Sequence, residues 1–184
     1  MFISLGTMFL NYGTTNSKWE LPHQAFTQEQ QVTAQKNLST ISTLLKQKTP
    51  VTLILSQDDI NAMIAETPGA QEVLQARIQD NLLYINFSFG LSKIPQRQFA
   101  NKYIYGSLGF KIQPSTQANQ AVEILLMTGT INGKALPSKL MDQLKGKNIA
   151  DGMYQNSDAD TQAIVDKIKS IEIKNNKLFI QTKE

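Results

Sequence analysis

Cysteine is absent from the 184 residues, and histidine and tryptophan occur once each. The first absence removes disulfides, thiolate nucleophiles and cysteine-bound metals together. A single histidine, His23, removes the Ser-His-Asp arrangement and paired-histidine zinc sites. Glycine-rich phosphate cradles are also missing, because "GSLG" and "TGTING" lack the spacing of a dinucleotide or P-loop turn. Charge is sparse and balanced, with 18 basic against 15 acidic residues and a net charge of +3. The basic residues are scattered, so no stripe tracks a phosphate backbone and nucleic acid is not an expected partner. No cofactor or metal is expected either, and "DADT" from Asp158 to Thr161 lacks the glycine and distant glutamate of a calcium loop.

What is present begins with a short apolar run, Phe2, Ile3, Leu5, Met8, Phe9 and Leu10. It has no basic residue ahead of it and falls short of the roughly 20 residues that span a bilayer. It reads as the remnant of a membrane anchor, the alternative being an apolar strand packed on the domain. "TTNSKWELPHQ" follows as a polar linker. The expected organisation is therefore an anchor remnant and linker over 1–26 and a single domain over 27–184.

Thr27 and Gln30 have capping-box spacing, and Ala34, Leu38, Ile41 and Leu45 recur at helical steps up to Pro50. "VTLIL" is short and branched, as a strand should be. In "LSQDDINAMIAE", Ser56 and Asp59 predict a second capping box, Asp58 adds charge at the helix N-terminus, and Asn61 is placed to bind neighbouring backbone. The acidic pair thus reads as a helix start rather than as an acid-base site.

From Gln71 the period becomes two. Leu83, Ile85, Phe87 and Phe89 share one strand face after an Asp80-Asn81 turn, and Ile104, Leu108, Phe110 and Ile112 share another. The strand "AVEILLMTGTING" is apolar on both faces, with Val122, Ile124 and Leu126 on one and Leu125, Met127 and Ile131 on the other. Pro137 opens a helix closed by Gly146, a last helix runs through Ala163, Ile164 and Ile168, and "SIEIKNNKLFIQTK" forms a second hairpin. "RIQDNLLYIN" overlays "EIKNNKLFIQ" at a constant offset of 95 (173 minus 78), which suggests a duplicated strand-helix-hairpin unit. The fold class expected is α+β: a twisted, mostly antiparallel sheet with helices packed on one face.

"LILSQDDINAMIA", a hairpin, "INGKALPSKLM" and the closing "IEIKNNKLFI" together resemble the YpmS-like group of uncharacterised bacterial proteins over roughly residues 50–182. The resemblance implies an extracytoplasmic domain, in the periplasm and tethered to the inner membrane by an N-terminal anchor. Asn61, Gly133, Leu136 and Pro137 would be its recurring positions, and it brings no catalytic residue with it. The short apolar run and the long helix from residue 27 depart from the group.

No enzyme is expected. Ser138 and Lys139 are adjacent, which on a helix points them apart. Two binding readings remain. In one, Leu125, Met127 and Ile131 line an apolar groove for a lipid or acyl chain, with Met63 and Met141 as further soft apolar surface. In the other, the domain is a structural or interaction protein of the cell envelope that docks partners on exposed polar strand edges. Tyr84, Tyr103 and Tyr105 could form an exposed ladder with Lys102 and Lys111, although cross-strand aromatics usually just stabilise a sheet. A continuous apolar cavity favours the first, and a filled core with a flat exposed sheet favours the second.

Overall fold

A computed structural model describes residues 14–22, 26–44, 50–92, 99–116, 121–151, 162 and 165–183. The apolar run at the start, His23, the "DADT" segment and most of the expected last helix lie outside them. Helix α1 (Gln28–Leu44) leads to β1 (Thr52–Leu55) and α2 (Gln57–Ala65). A 3-10 turn (Ala70–Glu72) precedes β2 (Leu74–Gln79), β3 (Leu82–Gly90), β4 (Tyr103–Pro114), β5 (Val122–Ile131) and β6 (Lys134–Ala135). Helix α3 (Ser138–Leu144), β7 (Ile168–Lys174) and β8 (Lys177–Thr182) complete the described elements. The class is α+β. The strands divide into two antiparallel sheets, one in the order β2-β3-β4-β5-β6 and one in the order β1-β8-β7.

Local chemistry explains the elements. Thr27 and Gln30 exchange side-chain bonds to each other's backbone N–H at 3.2 and 2.9 Å, closing the first turn of α1. Ser56 and Asp59 do the same for α2: Asp59 N–H donates to Ser56 Oγ at 3.2 Å and Ser56 N–H donates to Asp59 Oδ2 at 2.8 Å. Three two-residue hairpin turns, Asp80-Asn81, Asn132-Gly133 and Asn175-Asn176, all take positive φ. That is the conformation whose twist matches paired strands, and asparagine and glycine adopt it most easily.

The core lies on one face of the five-stranded sheet. Phe87, Ile104, Leu126 and Ile131 pack there with Leu136 and Leu140, which arrive from the α3 side. A second cluster joins the two sheets through Ile78, Ile112, Val122 and Ile173, with Leu83 and Leu178 against it. Ile78 and Ile173, and Leu83 and Leu178, are the positions that the offset of 95 equates. The turns meet as well: Asn81 N–H donates to Asn176 Oδ1 at 3.1 Å, and Asn176 N–H donates to Asn81 Oδ1 at 3.2 Å. The two like hairpins are therefore related by an approximate two-fold axis between their turns.

Two edges of the five-stranded sheet are closed by side chains. Asn61 sits in the middle of α2, buried, and mimics a strand: its Nδ2 donates to Ala76 O and its Oδ1 accepts from Ala76 N–H, both at 2.7 Å. Gln57 Oε1 accepts from Ile78 N–H at 3.0 Å, so β2 exposes little unpaired backbone to water. Asn148 repeats the device on β5, accepting from Ile124 N–H at 2.8 Å and donating to Val122 O at 3.1 Å.

Three expectations need correction. Residues 14–22 are a strap rather than a free linker: Thr15 pairs with Tyr103 through N–H···O bonds of 3.0 and 2.9 Å, and Leu21 is buried. Ile168 begins β7 and does not belong to a helix. Leu125, Met127 and Ile131 do not share a face. Phe110 pairs with Leu126 but Gly109 pairs with Thr128, so Met127 is an extra residue in a bulge and strand parity reverses there. Beyond it Ile131 turns into the core, 1% exposed, while Met127 stands 50% exposed.

Candidate functional site

The face of the five-stranded sheet opposite the core is the surface that its packing leaves for other work. Strand register places Gln75, Arg77 and Gln79 of β2 on it, beside Tyr84, Asn86 and Ser88 of β3. Tyr103, Tyr105, Ser107, Gly109 and Lys111 of β4 continue it, and β5 adds Leu125, Thr128 and Thr130. The strap divides this face in two. It pairs with β4 at Thr15, stacks Trp19 against Tyr105 with ring centroids 5.4 Å apart, and reaches β2 where Gln75 Nε2 donates to Pro22 O at 3.5 Å. Asn16 Oδ1 accepts from Lys102 Nζ on the way. Its path runs over the part of the sheet that carries Ser88 and Ser107, whose buried hydroxyls have no hydrogen-bond partner among the described residues.

The other half of the face is open. Arg77, Lys111, Met127, Thr128 and Thr130 are exposed, with Tyr84 and Leu125 half-buried among them. Tyr84 is held flat because its partner across the strands is Gly109: a Cβ there would come within 2.8 Å of the tyrosine ring. The Arg77 guanidinium lies 4.8 Å from the centre of the same ring, a cation–π contact that fixes a charge over an aromatic plate. An aromatic anchored by Gly109 and Arg77 thus stands beside a second cation, Lys111, and an exposed, flexible methionine, Met127.

The residues singled out from sequence scatter accordingly. Leu125 and Met127 belong to the open half, and Ile131 to the core beneath it. Tyr84 and Lys111 join them there, whereas Tyr103, Tyr105 and Lys102 are engaged by the strap. Asp59 is spent on its cap, with Asn37 Nδ2 donating to its other oxygen at 3.4 Å. Asn61 serves β2, as its placement beside the apolar stripe of the helix suggested. Gly133 forms a turn, Leu136 fills core and Pro137 starts α3. Arg77 and Asn148 were not singled out. Asn148 carried one readable signal, its place before a helical turn, where Oδ1 also accepts from Ala150 N–H at 3.1 Å.

A small cavity of about 20 Å³ lies between strap, α2 and β2, lined by Pro22, Phe26, Asn61, Ile64, Leu74 and Gln75. That is space for one water and far below what an acyl chain fills. Among the described residues no group of three His, Asp or Glu side chains could hold a metal. Comparison with protein-family models, curated proteins and solved structures returned no match in any of the three.

Proposed function

We infer that this is a non-enzymatic interaction module that docks a protein on the open half of its five-stranded sheet. The observation that carries this reading is the solvent-facing set Arg77, Tyr84, Lys111, Leu125 and Met127, opposite a face already filled by core. The partner that complements it presents carboxylates for Arg77 and Lys111 and an apolar side chain for Met127 and Leu125. An acyl-chain groove is less well supported, because the three residues expected to line it do not form one wall.

The placement proposed is extracytoplasmic and periplasmic, tethered to the inner membrane through the apolar residues before the strap. No helix among the described residues is long and apolar enough to cross a membrane. Support comes from sequence: the run Phe2 to Leu10 leads into the strap, so a tether there would hold the domain by β4. Fractionation of cells with and without residues 2–10 tests that part.

The docking surface is tested by the charge reversals Arg77→Glu and Lys111→Glu together. Both side chains are exposed, so the variant should unfold cooperatively at nearly the wild-type denaturant midpoint while losing the proteins that co-purify from solubilised membranes. Unchanged co-purification would sink the reading. So would saturable binding of a fluorescent fatty acid that Leu125→Ala alters.

A further inference from the structure

We propose that the outer edge of β1 is a strand-addition site that takes an extended, uncharged, apolar segment of a partner protein, antiparallel to β1. The internal two-fold relation leads to this edge, independently of the open face described above. The relation extends one strand beyond the hairpins. Leu83 pairs with Phe110 and Ile85 with Leu108, while their equivalents Leu178 and Ile180 pair with Leu55 and Leu53. The offset between β4 and β1 is therefore constant, 110 minus 55 and 108 minus 53 both giving 55. On this alignment Thr52 corresponds to Ser107, Ile54 to Gly109 and Phe179 to Tyr84.

The two halves then diverge. On β4, Ser107 and Gly109 turn their main-chain groups toward β5 and pair with Thr130 and Thr128. On β1, Thr182 N–H donates to Val51 O at 3.0 Å, which places Val51, Leu53 and Leu55 toward β8 and turns Thr52 and Ile54 outward. β1 is the last strand of its sheet, and no described strand pairs with that side. In the five-stranded sheet, the outer sides of β2 and of the start of β5 are closed by Asn61, Gln57 and Asn148. Here, among the described residues, the fold leaves Thr52 and Ile54 bare with no lysine or bulge between them, and Pro50, which has no N–H, closes only the near end of the edge. Thr52 is exposed and Ile54 is 49% exposed beside half-buried Phe179.

The chemistry of the occupant follows. From Val51 to Leu55 there is no charge to match, so a residue opposite Ile54 meets an apolar pair with Phe179 and a residue opposite Leu53 meets a second leucine-like surface. Size decides between a peptide and a second copy. The edge is four residues long, or about 13 Å, which cannot bury the roughly 1,600 Å² of a stable dimer but suits the short segments bound by strand addition.

A randomised short-peptide library displayed on phage, selected against the full chain, tests this. The expected result is a set of apolar peptides that slow amide exchange at Thr52 and Ile54. Ile54→Pro, which removes an outward N–H together with the isoleucine side chain, should weaken them about tenfold or more. Ile54→Lys leaves the backbone intact and should do the same, which covers the case in which the proline variant misfolds. Three results would overturn the proposal: no enrichment over the Ile54→Lys protein, protection confined to the strands around Arg77 and Lys111, or a concentration-dependent dimer that Ile54→Lys abolishes. The second would leave the open-face reading standing, and loss of co-purification in the charge-reversal variant with intact peptide binding would separate the two the other way.

Discussion

The hairpins β2-β3 and β7-β8 have the same local sequence pattern, the same two-residue turn with positive φ and the same pair of isoleucine and leucine facing each other. Their surroundings differ. The first is the start of a five-stranded sheet whose outer strand is guarded by helix α2, while the second supplies two of the three strands of a sheet that ends at β1. Hairpin pattern fixes a turn and a register because these depend on a few adjacent residues. It does not fix which strand comes next, since that is settled by distant segments competing for the same backbone groups.

The largest effect is expected at the cluster the hairpins share. Ile78→Ala and Ile173→Ala should each cost about 2 to 4 kcal/mol in urea unfolding, the usual range for a buried isoleucine. Because their cavities adjoin, the double variant should depart from the sum by more than about 0.5 kcal/mol. Strict additivity would mean that the two hairpins pack independently and that the two-fold relation carries no energy.

The guarded edges give the next effect. Asn61→Leu keeps volume but strands the N–H and C=O of Ala76 in a buried place, at a cost of about 2 to 4 kcal/mol. Asn148→Leu should cost less, about 1 to 2 kcal/mol, because Asn148 is only half-buried and water can reach the freed groups. Faster amide exchange at Ala76 in the first variant and at Ile124 in the second would locate the losses. Equal costs would show that burial is not what separates the two edges.

The smallest effect is at the turns. Asn81→Gly and Asn176→Gly keep positive φ while removing the reciprocal acceptors, so each should cost about 0.5 kcal/mol at these exposed positions. A double-mutant cycle tests the contact between them: coupling between the two shows that the turns hold the sheets together, and no coupling shows that they merely touch.

The legible parts of this chain were those written in neighbouring residues. Both capping boxes, the turns at Asp80-Asn81 and Asn175-Asn176 and the role of Asn61 follow from spacings of a few positions, whereas the overlay of the two hairpins suggested a duplicated unit and did not say that their turns meet. The candidate site was not legible in the same way. Leu125, Met127 and Ile131 alternate correctly on paper, but one bulged residue at Met127 reverses parity and separates them. A polar stretch such as "TTNSKWELP" reads as linker until Tyr103 and Tyr105 are known to lie beneath it.

Neighbouring residues were enough for the first two helices, the two like hairpins with their turns and the α+β class, because helix caps, period-two patterning and asparagine turns act over one or two turns of chain. Only the tertiary structure decided that there are two sheets, which face stays open and which edge stays bare. Those are outcomes of long-range competition for backbone hydrogen bonds and buried area, and no local spacing encodes the winner.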